Sequence, residues 1–141
     1  DALYLAIYEQ AMLFELTFVQ TYMEKVRDEP IEQALLPLLQ QVAHRFEHNV
    51  ETKFFIRSTF LTPYHLQEAL GKKTYDYLDA IQALFTTYFC TKMPRENSNE
   101  AAVAYLALLD SLYVEMLYGG NVRFNQRLQA GWNVFYRGIS N

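Results

Sequence analysis

With 141 residues, 51% of them hydrophobic and 16% aromatic, the chain suits one domain, and a domain of this size buries about 70% of its unfolded-state surface without covalent staples. Its 12 Lys and Arg against 16 Asp and Glu give a net charge of −4, the wrong sign for a domain that grips nucleic acid directly. The single cysteine, Cys90, rules out an internal disulfide and fits a reducing, cytoplasmic setting, and no charge-free apolar run reaches about 18 residues, so no transmembrane helix or membrane partner is expected.

Apolar residues recur at three and four rather than at two, and no Asn-Gly or Asp-Gly turn is present, so the pattern is all-α. The first helix is expected from Asp1, whose carboxylate suits an N-cap, to about Arg27. Leu3, Ile7, Phe14, Phe18 and Tyr22 form one stripe, and Leu5, Tyr8, Met12, Leu16, Val19 and Met23 a second. A helix apolar on two sides packs between neighbours or lines a cavity. Glu9 and Glu15 interrupt it, and it lacks the basic start of a signal peptide. At about 1.5 Å per residue it is about 40 Å long, more than a small domain needs.

Pro30 opens a second helix running to about His48, in which Pro37 predicts a kink or a late start. A short third helix covers Glu51 to Phe60. Thr62-Pro63 reads as a cap and first turn of a fourth, which runs to about Thr91. Met93 to Asn97 is the clearest loop, and Asn97 with Glu100 has capping-box spacing for a fifth helix that ends at Gly119-Gly120. A last helix spans about Asn121 to Arg137, giving a bundle of about six helices.

Several stretches, in this order, resemble the C-terminal half of TetR/AcrR-type transcriptional regulators. Asp1 to Glu9 (DALYLAIYE) looks like the helix that follows the family's DNA-binding helix-turn-helix. Phe55 to Pro63 (FIRSTFLTP) is similar to its aromatic short helix and Pro-initiated next helix. Ala107 to Leu112 resembles its penultimate helix, and Phe135 to Ile139 the end of its last. The resemblance implies an effector-binding and dimerisation domain over 1–141, with ligand-sensing helices in 1–96 and a dimerisation hairpin in 97–141. It also implies that Asp1 is a break in a longer chain, that DNA is contacted only through a missing N-terminal helix-turn-helix, and that a small, largely apolar effector relieves that contact.

No Gly-rich phosphate loop, Gly-x-Ser-x-Gly elbow or nucleophile–base pairing is present, so neither an enzyme nor a cofactor is expected. Cys90, on an apolar helix end, reads as a buried structural thiol. His44 and His48, spaced i, i+4, suit either a solvated face or a metal pair; no metal site is assigned. The aromatic set reads as core or as a cavity wall, since Tyr gives apolar area plus a hydroxyl that needs a partner. The candidate lining is Tyr8, Met12, Phe18, Phe55, Thr59, Tyr64, Tyr88, Asp110 and Tyr113. Asp110 either pairs with a cationic ligand or makes a structural contact, and Arg57 is paired, solvated or aimed at an anion.

Leu108, Leu112, Phe124, Leu128, Trp132 and Phe135 are more apolar surface than a lone hairpin hides, and Gly131 in mid-helix suggests a close helix approach. Two hairpins about a two-fold axis would form a four-helix bundle and a homodimer. The alternatives are packing on the first four helices only, and a solid helical interaction module with no pocket.

Overall fold

The computed structural model describes residues 2–140, and the described residues form helices and turns with no strand. The helices are α1 (Ala2–Lys25), α2 (Ile31–Gln40), α3 (Val42–His48), α4 (Val50–Phe60), α5 (Gln67–Cys90), α6 (Arg95–Tyr118) and α7 (Asn121–Ile139), with a 3₁₀ turn at Tyr64–Leu66. Counting α2 and α3 as one interrupted helix gives the six expected from periodicity. The Asp1 cap lies outside the described residues.

Pro37 does not break the chain where it stands. α2 runs through it, and the interruption falls at Gln41, whose N–H bonds back to the Pro37 carbonyl at 3.1 Å. Asn49, with extended backbone (φ −119°, ψ 115°), then separates α3 from α4. α3 is thus a seven-residue segment between two breaks.

Two start signals act differently from expectation. Asn97 and Glu100 form no capping box: α6 begins at Arg95, and the Asn97 N–H is already bonded to the Pro94 carbonyl at 3.0 Å. Pro94, at φ −56° and ψ 142°, sets that start from the backbone alone. The Thr62 hydroxyl donates backward to the Ser58 carbonyl at 2.7 Å, closing α4 rather than opening the next helix.

α5 lies along α6, α1 along α4 and α5, and α7 against α6 and α2. The larger core joins Val19, Leu35, Leu39, Phe85, Phe89, Tyr105, Leu112, Phe124 and Trp132. A smaller one joins Tyr8, Phe55, Ile56 and Leu70 near the start of α1. Tyr77, Tyr113 and Met116 touch both. Tyr hydroxyls from three helices fix α2 and the turn before it. Tyr22 donates to Ala34 O at 2.5 Å, Tyr88 to Glu29 O at 2.7 Å and Tyr105 to Leu35 O at 2.8 Å. Each pairs the polar atom of a ring that is buried, as at Tyr88 and Tyr105, or half-buried, as at Tyr22.

α1 and α6 are long and apolar enough to cross a membrane by length and composition. In this fold each lends one face to the core. Cys90 is exposed at the end of α5, not buried, because the side chains facing the core there are Tyr88 and Phe89.

Candidate functional site

The buried stripe of α1 is Tyr8, Ala11, Glu15, Val19 and Met23. This spacing of three and four carries a carboxylate into the middle of the molecule, where Glu15 is 1% exposed. Burying a bare carboxylate costs several kcal/mol, about as much as pairing returns only when geometry is good. The geometry here is good. Arg45 of α3 donates through Nη1 to Glu15 Oε2 at 2.8 Å and through Nη2 to Oε1 at 3.1 Å. Thr52 of α4 donates its hydroxyl to the same carboxylate. The guanidinium carbon lies 3.5 Å from the centre of the Phe18 ring, within cation–π range.

Tyr113 and Tyr77 surround this pair electrically. Burial raises both phenols well above their usual range. The Glu15 carboxylate pushes Tyr113 further up, partly offset by Arg45. The neighbouring Tyr113 and then Glu15 add to the rise at Tyr77. Both phenols therefore stay protonated and offer O–H dipoles rather than charge.

Beside the pair is an interior void of about 20 Å³, walled by Glu15, Phe18, Arg45, Thr52, Phe85, Tyr113 and neighbouring aliphatic side chains. That is room for about one water. Outside it, between α1 and α4, runs an open apolar groove of about 760 Å³, lined by Ile7, Leu13, Phe14, Phe18, Val50 and Phe54 among others. Phe18 lines both spaces. Beyond Phe54 and Val50 the surface continues into a second depression of about 420 Å³ with Tyr4, His48, Lys53, Arg57 and Ser58.

Of the nine expected lining residues, Phe18 and Tyr113 meet at the void. Tyr8 is buried in the smaller core, with its hydroxyl on Thr59 at 3.0 Å and Thr74 at 2.6 Å. Phe55 stacks on Tyr8 with ring centres 5.4 Å apart, and Met12 packs against that core. These side chains fill space, because α4 lies directly against α1 there. Tyr88 is likewise core, held by its bond to Glu29 O. Tyr64 is 88% exposed and lines nothing, since its 3₁₀ turn points the ring away from the core residue Leu66. Asp110 is on the exposed side of α6 and does not line the void.

The expected interface residues have partners within the chain. Leu112, Phe124 and Trp132 are buried, and Leu108, Leu128 and Phe135 pack against the same core. The Phe135 ring meets Phe89, Tyr105 and Trp132. Gly131 marks a close approach, but between α6 and α7 of one chain: a Cβ there would overlap Cδ1 of Leu108. The outward face of the hairpin is instead Val103, Ala104, Ala107, Asp110 and Val114 of α6 with Ala130 and Val134 of α7.

His44 and His48 stack with ring centres 4.1 Å apart, and the His48 Nδ1 bonds to the His44 carbonyl at 2.9 Å. No group of three or more His, Cys, Asp or Glu among the described residues is placed to hold a metal. No family model and no curated protein matches the chain.

Proposed function

We propose that the chain is the effector-sensing and dimerisation domain of a TetR-type transcriptional regulator, acting in the cytoplasm with no catalytic role. The observation that carries this reading is the Phe18 partition. One side chain separates an open apolar groove from a void whose wall holds a paired carboxylate, a hydroxyl and a phenol. Ligand sites have this composition, mostly apolar with a few converging polar groups. The resemblance of the α1, α4, α6 and α7 segments to the regulator family supports the same conclusion. A ligand entering past Phe18 would wedge α1 from α4 and favour one arrangement of a homodimer over another. α1 would pass the shift to an attached helix-turn-helix, and about 1–3 kcal/mol of coupling is enough to regulate DNA binding.

The small void favours one other reading, a solid helical interaction module that docks a partner in the α1–α4 groove. Phe18→Ala separates the two. In the sensing reading it joins groove to void, and the neutral fluorophore N-phenyl-1-naphthylamine binds at least tenfold more tightly than to the wild-type chain. Unchanged fluorophore affinity rejects the pocket and leaves the interaction module.

A further inference from the structure

The buried carboxylate and its counter-ion come from elements of unequal length. Glu15 stands at the middle of a 24-residue helix, on its buried face. Arg45 comes from a seven-residue helix bounded by the interruptions at Gln41 and Asn49, and reaches Glu15 through a long, flexible stem. Its guanidinium lies between the carboxylate and the Phe18 ring, and Phe18 is the wall toward the open groove. The chain's own planar cation therefore lies on the inner side of the wall that Phe18 makes with the groove, against a carboxylate and an aromatic face.

We propose that Arg45 is the resident occupant of a cation subsite, and that the effector is an organic cation whose guanidinium, amidinium or aryl-ammonium head replaces Arg45 on Glu15. This rests on the reading of the core as a ligand site and adds the charge and shape of the ligand. The charge follows from what Arg45 leaves behind. A carboxylate buried without its counter-ion is strongly unfavourable; a neutral molecule brings no compensating charge and an anionic one repels it. A planar fork of N–H donors matches the two carboxylate oxygens that Arg45 now engages. The Phe18 face adds cation–π attraction. The remainder of the ligand is apolar, because the groove walls beyond Phe18 are Ile7, Leu13, Phe14 and Phe54.

Phenylguanidinium, benzoate and benzyl alcohol are similar in size and differ in charge, so they test this on the purified 141-residue chain by calorimetry and thermal melting. Phenylguanidinium is expected to raise Tm and to bind at least tenfold more tightly than the other two. Arg45→Met removes the resident cation and keeps an apolar stem, so it binds phenylguanidinium at least tenfold more tightly than the wild-type chain. Arg45→Lys, with a weaker hold on the carboxylate, shifts affinity the same way and serves if the Met variant does not fold. Glu15→Gln abolishes the preference for the cation over benzyl alcohol. Equal or tighter binding of benzoate or benzyl alcohol, or a cation preference that survives Glu15→Gln, overturns the charge assignment while the ligand site stands. No binding of the three probes, with N-phenyl-1-naphthylamine still entering the Phe18→Ala chain, overturns it too. Failure of that fluorophore as well removes the ligand site itself.

Discussion

A fork of two N–H donors on a buried carboxylate is informative because of how it fails. Removing one partner strands the other, whereas removing both leaves an apolar space. Glu15→Ala is therefore expected to cost about 3–5 kcal/mol, since Arg45 loses the paired bonds that offset its burial. Glu15→Leu combined with Arg45→Met is expected to cost far less than either single change, or to stabilise the chain. Urea denaturation of Glu15→Leu, Arg45→Met and the double variant measures this, and additive losses would show that the pair is not coupled as the 2.8 Å and 3.1 Å bonds indicate. The pair was available in the sequence. Glu15 falls in register with Tyr8, Ala11 and Val19, and Arg45 sits beside Val42 and Phe46 on the apolar side of α3. A charge in register with an apolar stripe, met by the opposite charge on another, is a signal for a buried pair. Reading Glu15 only as an interruption of a hydrophobic run misses it. The aromatic residues mislead in the other direction. Tyr8, Phe55 and Tyr88 carry the residue types of a cavity wall, but composition does not distinguish a ring that lines a space from one that fills it.

Helix extents followed from periodicity and breakers to within a few residues, because Pro30, Pro94 and Gly119-Gly120 interrupt the chain whatever surrounds them. The partner of each helix face did not follow. A stripe at helical spacing reports which side is buried and says nothing of what buries it, so the apolar side of α7 was open to assignment between a second copy and α2 with α6. The α6–α7 turn also depends on a side chain that periodicity does not single out. Glu115 near the end of α6 is buried and accepts from Arg123 Nε at 3.0 Å and Arg127 Nε at 2.5 Å. The hydrogen bond from Arg123 comes first in holding its carboxyl below the ordinary 4.5, with Arg127 adding to it. A depressed folded-state pKa means that this stabilisation is complete above the unfolded value and is lost as pH falls below about 4.5. Hydrogen exchange at the first turns of α7 is therefore expected to accelerate as pH falls below 4.5, beyond the intrinsic chemical trend. Glu115→Gln should exchange faster at pH 6 and show no such step. A step that persists in Glu115→Gln would assign the titration to another group.

Assembly places a different demand on the same hairpin. With Leu112, Phe124 and Trp132 consumed by the chain's own core, a proposed two-fold interface has to use the outward side. That side has the composition for close helix packing: Ala104, Ala107 and Ala130 are small, and Val103, Val114 and Val134 are exposed aliphatics. A shallow cleft of about 310 Å³ between Leu108, Ser111, Arg127 and Gly131 gives a second copy something to enter. An isologous interface repeats each change twice, so one charge at its centre is enough to open it. In the proposed dimer, Ala107→Glu is expected to shift light scattering from dimer to monomer, with thermal melting of the monomer retained. Trp132→Glu tests the core, not the interface. Trp132 is 4% exposed and its ring lies 5.4 Å from Tyr136 and 5.7 Å from Phe135. A carboxylate there loses that packing, which alone costs about 3–5 kcal/mol, and is itself buried, so the variant is expected to be unfolded or to melt far lower. The two variants thus have opposite signatures, one losing association with its fold intact and the other losing its fold. An Ala107→Glu chain that stays dimeric would move the interface off this hairpin face. Trp132→Glu monomers that melt like wild type would return it to the inner stripe.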